Sequence, residues 1–172
     1  LFTADPYSKV MDENDKKTST LFGDGAAAAL ITDQPVWMSG EFVFGSDGTK
    51  WESIIVRDGT LHMNGRAVFT FSVRVIPDSI RAMLQRNDCT LDQVDRLLLH
   101  QGSRHIVNAI ADELGVSRKK CRFYAADYGN TVSSSVPMVL AEEFDNTDLN
   151  TLLIAGFGVG LSWASTVLRR VR

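Results

Sequence analysis

From Gly65 onward the chain switches repeatedly between a helical and a strand period, and this alternation constrains the fold more than any other feature. Val68, Phe71, Val75, Ile76, Ile80 and Leu84 recur at helical spacings, which predicts one amphipathic helix from Gly65 to about Gln85 with Asn64 as its N-cap. Pro77 falls inside that run, where its missing N–H and bulky ring are expected to kink or split the helix. Leu91 to Val94 reads as a turn of helix, Arg96 to Leu99 as a strand, and Ser103 to Leu114 as a helix stopped by Gly115. A strand at Cys121 to Ala125, a helix at Ser133 to Glu143, and strands at Leu152 to Ala155 and Ser162 to Val171 complete the series. Helices interleaved with strands can bury their apolar stripes only against a sheet, so the expected class is α/β, a layered mixed sheet with helices packed on it.

The first half is less periodic. Leu1 to Asp5 reads as the tail of a buried strand, and Asp12 to Lys17 as a charged turn region. Leu21 to Ile31 ends in what reads as a buried strand of small residues, and the glycines ahead of it point to close backbone approach. Short strands are expected at Phe42 to Phe44 and Ile54 to Val56, separated by the turn signal Gly45-Ser46-Asp47-Gly48. At 172 residues the chain fits one domain with a real core. It starts without a methionine and reads as truncated.

Composition excludes several classes. A formal net charge of −3 argues against a nucleic-acid binder. No apolar run reaches the length of a membrane span, since the longest, Leu152 to Leu161, is interrupted by glycines. The N-terminus lacks the basic-then-apolar order of a signal peptide. Cys89 and Cys121 suit a reducing, cytoplasmic compartment, show no metal-ligand spacing and have no setting that would lower a thiol pKa, so both read as structural.

The chemistry-bearing candidates lie at element ends. His100 closes the run Leu97-Leu98-Leu99, and ligands of open α/β sheets gather at the carboxyl ends of strands. Asn130 sits in the turn Tyr128-Gly129-Asn130-Thr131 ahead of a small-residue segment. Neither is a nucleophile, but a histidine and an amide can aim two donors at one developing oxyanion. Gly156 to Gly160 lies between two strands with no helix to receive a phosphate, which excludes a dinucleotide fingerprint and fits exposed backbone N–H groups. His62 and His105 read as structural. Arg104, Arg118, Lys119, Lys120, Arg122, Arg169, Arg170 and Arg172 form a basic set, a solvated face that could steer an acidic partner.

In register, these pieces resemble the C-terminal half of β-ketoacyl-acyl-carrier-protein synthase III, a condensing enzyme of the thiolase fold. Leu21-Phe22-Gly23-Asp24-Gly25-Ala26, Met63-Asn64-Gly65-Arg66-Ala67-Val68-Phe69, Leu99-His100-Gln101, Gly129-Asn130-Thr131 with Ser135-Val136-Pro137, and Gly156-Phe157-Gly158 to Trp163 carry the resemblance. It implies a thiolase-like half whose parent holds an acyl group as a thioester on a cysteine and decarboxylates a malonyl-carrier thioester beside it. His100 and Asn130 would donate to the malonyl thioester oxygen, and the backbone N–H of Val159 would help form the acyl oxyanion hole. Arg104 would dock the acyl carrier protein.

The resemblance further implies acyl-CoA and acyl carrier protein as partners, a coenzyme A thioester as substrate with no resident cofactor, and a homodimer when full length. The nucleophilic cysteine would belong to an N-terminal half outside residues 1–172, so this chain is expected to be inactive alone. Gly102 and Ser103 replace the family's Ala-Asn, and Val159 replaces a glycine. These departures point to a specialised synthase as an alternative to a housekeeping fatty-acid role. The competing class is a non-catalytic acyl-carrier binding or assembly module.

Overall fold

The computed structural model describes residues 1–171. Its largest sheet has five strands, β3 (Trp37–Ser39), β4 (Val43–Ser46), β7 (Arg96–Leu99), β8 (Thr151–Gly158) and β9 (Ser162–Arg170). The order is β3-β9-β8-β7, with β4 pairing the first half of β9 while β3 pairs its end. β7 and β8 run parallel, Leu97 opposite Leu153 and Leu99 opposite Ala155. β8 and β9 run antiparallel from Thr151 opposite Arg169 to Gly158 opposite Ser162, so the sheet is mixed.

Side-chain alternation along these strands divides the core. Leu97, Leu99, Leu153, Ala155 and Phe157 pack with the helices α1 (Gly65–Arg86) and α2 (Arg104–Leu114). Leu98 and Leu152 join Val139 of α3 (Ser135–Glu143), Leu149 and Leu168 in a second cluster. A strand with both faces covered has no polar side, which accounts for the uninterrupted leucines of β7. Each buried leucine contributes about 1.5–3 kcal/mol over leaving it exposed.

α1 starts where the Asn64 side-chain oxygen accepts the Ala67 N–H, as expected. It then runs unbroken through Pro77 to Arg86 instead of splitting. The proline removes one internal hydrogen bond, and the buried Ile76, Ile80, Met83 and Leu84 anchor the helix on both sides of it. α2 is capped by Ser103, whose Oγ accepts the Ile106 N–H, and ends at Gly115 with φ 69°.

Three expectations are corrected. Cys121 to Ala125 is not a strand: Leu97 N–H donates to Lys120 O, but the Tyr124 N–H then goes to the Gln101 side chain, so no backbone ladder continues. β1 (Phe2–Asp5) and β2 (Gly25–Ala28) form an antiparallel pair that is not buried, with Phe2 86% exposed. Their alanines carry too little apolar area to drive burial. The glycine connection is also shorter than expected, because Gly156, Phe157 and Gly158 pair with β9 as part of β8. Ile54 to Val56 is a strand as expected, β5 (Ile54–Arg57), and it forms a hairpin with β6 (Thr60–Met63). No helix among the described residues is long and apolar enough to cross a membrane.

Candidate active site

His100 is the first residue beyond β7, fixed there by its N–H donating to Ala155 O at 2.8 Å. Its ring meets Phe157 edge-on at 5.3 Å between centroids, and its Nδ1 lies 2.7 Å from Ser135 Oγ. Burial pushes the imidazole pKa down from 6.5 to about 4, against a weaker opposing pull from the Val132 backbone. The ring is therefore neutral at physiological pH. Its Nε2 has no hydrogen-bond partner among the described residues and is not sealed from solvent.

Asn130 is positioned by backbone pairing across the chain. Its N–H donates to Leu21 O at 2.9 Å and its carbonyl accepts the Gly23 N–H at 3.0 Å. The side-chain Oδ1 accepts the Val132 N–H at 2.9 Å, which fixes the amide plane and leaves Nδ2 unpaired yet accessible. Val132 adopts φ 53°, a left-handed conformation costly for a β-branched residue.

His100 and Asn130 line one cavity of about 730 Å³, walled by Val68, Phe69, Phe157 and Trp163. Gly156 and Gly158 belong to its wall, and a Cβ at either would enter open space. Val159, 54% exposed, sits at its rim just beyond β8. The cavity thus offers an apolar enclosure bordered by two neutral side chains able to donate hydrogen bonds, a setting that favours an oxygen that gains negative charge.

These features coincide with the comparisons to known proteins. The family described as "3-Oxoacyl-[acyl-carrier-protein (ACP)] synthase III C terminal" matches residues 84–170, and "3-Oxoacyl-[acyl-carrier-protein (ACP)] synthase III" matches residues 1–48. The chain belongs to the 3-oxoacyl-acyl-carrier-protein synthase III family. The β-ketoacyl-acyl-carrier-protein synthase III of Lactococcus lactis subsp. lactis is 36% identical over 185 residues, covering 96% of this chain and 57% of that protein. The chain therefore spans little more than half the length of such relatives. The synthase III crystal structure from Thermus thermophilus superposes with a TM-score of 0.89 at 30% identity, covering 99% of this chain and 58% of the other. A priming β-ketosynthase of the R1128 polyketide pathway superposes at 0.85 and 30% identity, covering 98% and 56%. The thiolase-like fold expected from the sequence is thereby shown.

The remaining sequence candidates divide. His105, read as structural, stacks on Phe69 at 4.6 Å and borders the His100 cavity. Only the phase of α2, which turns this residue toward the cavity, could have revealed it. His62 lies on β6 and does not line the cavity, unlike its neighbour Met63. Arg104 is exposed with its guanidinium 4.6 Å from the Phe123 ring, and borders a separate groove of about 580 Å³ with Arg118 and Arg122.

The rest of the basic set disperses. Lys120 donates to Leu91 O, Arg169 to Asn87 O, and Arg170 to the carbonyls of Phe144, Asn146 and Leu149; Arg172 lies outside the described residues. Of the two departures beside His100, Gly102 leaves room next to the imidazole and Ser103 spends its hydroxyl on capping α2. Neither cysteine lines the cavity. Burial pushes the Cys121 thiol up to about 12, which makes it a poor nucleophile.

Proposed function

We propose that this chain supplies the histidine and asparagine of a Cys-His-Asn site in a decarboxylative condensing enzyme, an acyltransferase joining an acyl thioester to a malonyl-carrier thioester. The observation that supports this reading is that His100 and Asn130 line one apolar cavity, with Nε2 and Nδ2 free of hydrogen-bond partners among the described residues. As carbon dioxide leaves a malonyl thioester, the electrons of the breaking C–C bond become an enolate whose negative charge gathers on the thioester oxygen. Two neutral donors aimed at that oxygen stabilise it without a proton having to move. The apolar wall contributes in the same direction by strengthening both hydrogen bonds.

The enolate carbon then attacks the acyl carbonyl, whose own oxyanion needs a donor. The Val159 N–H, at the rim beyond β8, is assigned that role. The acyl-bearing thiol lies outside this chain, in a preceding half of the same enzyme, so the 172 residues are inactive alone. Arg104 is assigned to docking of the carrier protein, in keeping with its exposure and its neighbours Arg118 and Arg122. The reading is tested in the full-length protein by following acylation and decarboxylation separately. His100→Ala and Asn130→Ala should block the second step and spare the first.

A further inference from the structure

The role proposed for His100 needs its proton on Nε2, and a neutral imidazole carries only one ring proton. Something must therefore keep Nδ1 bare. The side chain in contact with Nδ1 is Ser135, the first residue of α3, which is fully buried with its Oγ 2.7 Å away. A serine hydroxyl has one proton to give and two lone pairs to receive with. One lone pair is taken by the backbone N–H of Gln101 at 3.3 Å, a group that can only donate.

No other partner of Ser135 Oγ occurs among the described residues, so its proton can go only to His100 Nδ1. Were Nδ1 protonated instead, the hydroxyl would receive two donors while its own proton stayed buried without an acceptor, an arrangement that folded proteins avoid. The Val132 carbonyl, close enough to the imidazole to oppose the fall in its pKa, makes no hydrogen bond to the ring among the described residues and accepts the Ser135 N–H. From this hydrogen-bond count we infer that Ser135 is a positioning residue that sets the tautomer of His100, holding Nδ1 as acceptor and presenting Nε2–H to the cavity.

Three features make the device rigid. Ser135 Oγ touches both His100 and its neighbour Gln101, so the ring and the strand end are referenced to one atom. Gln101 is fully buried and clamps its own side chain between Leu99 O at 2.6 Å and the Tyr124 N–H at 2.9 Å. The neighbouring Ser134 bonds Thr3 and Gly25, which ties the start of α3 to the β1–β2 pair.

This inference rests on the reading of His100 as an enolate donor, and its test separates the two. The full-length protein labelled with 15N-histidine is examined by two-bond 1H–15N correlation, which distinguishes the two neutral tautomers, with His62 and His105 assigned by substitution. The wild-type protein should show His100 as the Nε2–H form. Ser135→Ala should shift it toward Nδ1–H and lower kcat for malonyl decarboxylation by about tenfold or more, the effect of presenting the wrong tautomer. KM should stay unchanged, and Ser135→Thr, which keeps the hydroxyl, should recover the wild-type spectrum.

An Nδ1–H signal in the wild-type protein would overturn the inference even if no variant folds. So would a Ser135→Ala protein that keeps the Nε2–H form and full kcat. A normal decarboxylation rate in His100→Ala would instead remove the functional reading while leaving the tautomer assignment standing.

Discussion

Gly23 and Gly129 face one another so closely that neither position has room for a side chain. A Cβ on Gly23 would lie 1.9 Å from Tyr128 O, and one on Gly129 would lie 2.8 Å from Leu21 O. Gly129 also has φ 75°, which an L side chain resists. This contact lets the turn carrying Asn130 pair with Leu21 and Gly23 through its backbone, so the glycine-rich segment near the start of the chain acts as the seat of a candidate site residue over a hundred positions away.

Gly129→Ala and Gly23→Ala should therefore destabilise the protein by more than about 1 kcal/mol each, through backbone strain at one and steric displacement at both. Chemical denaturation of the full-length variants checks this. Because Asn130 moves with the turn, decarboxylation should fall more than acylation does.

Gly156 and Gly158 should behave oppositely, although they lie in the same kind of motif. A Cβ at either meets only open space, so Gly158→Val should leave stability unchanged or raise it by up to about 1 kcal/mol, as expected for adding a β-branched residue to a strand. Its branches would occupy the cavity, and KM for the thioester substrate should rise. Thermal denaturation beside steady-state kinetics gives both readouts.

The depressed pKa of His100 fixes a pH window. The folded-state value of about 4 lies below the ordinary 6.5, so between these limits the unfolded chain binds more protons and stability rises with pH. The contribution is intact above pH 6.5, is lost as pH falls toward 4, and amounts to about 3 kcal/mol in all. Wild type should thus lose more stability than His100→Gln over that window in denaturation at stepped pH. Decarboxylation should show no limb from His100 near its ordinary pKa.

Arg104 yields a test of partner binding. Arg104→Glu should weaken turnover with a malonyl-carrier protein far more than turnover with a small malonyl thioester, since its side chain borders the basic groove and not the His100 cavity. Equal losses on the two substrates would contradict docking.

Much of this architecture was legible because strong local signals agreed with the tertiary outcome. The leucines before His100 marked a strand covered on both faces, Ser103 and Gly115 marked the ends of α2, and Asn64 capped α1. The same local logic failed where a long-range contact decided. Cys121 to Ala125 has strand-like residues, but the Gln101 side chain takes the N–H that a ladder would need. β6 follows Asp58-Gly59, both at positive φ, a two-residue hairpin turn whose second strand is too short to stand out by periodicity. In the candidate site, His100 and Asn130 were visible as strand-end and turn residues. Ser135 was not, because its role depends on the position of one hydroxyl relative to a ring that lies far away in sequence.

His100 and Asn130 are proposed to act together on one developing oxyanion. Carbon dioxide release from a malonyl thioester, measured in the full-length protein with His100→Ala, Asn130→Ala and both changes, tests it most directly. Each single change should slow release by about 10²–10³-fold, with transfer of the acyl group to the cysteine nearly unaltered. Wild-type release rates in the two single variants would contradict the account.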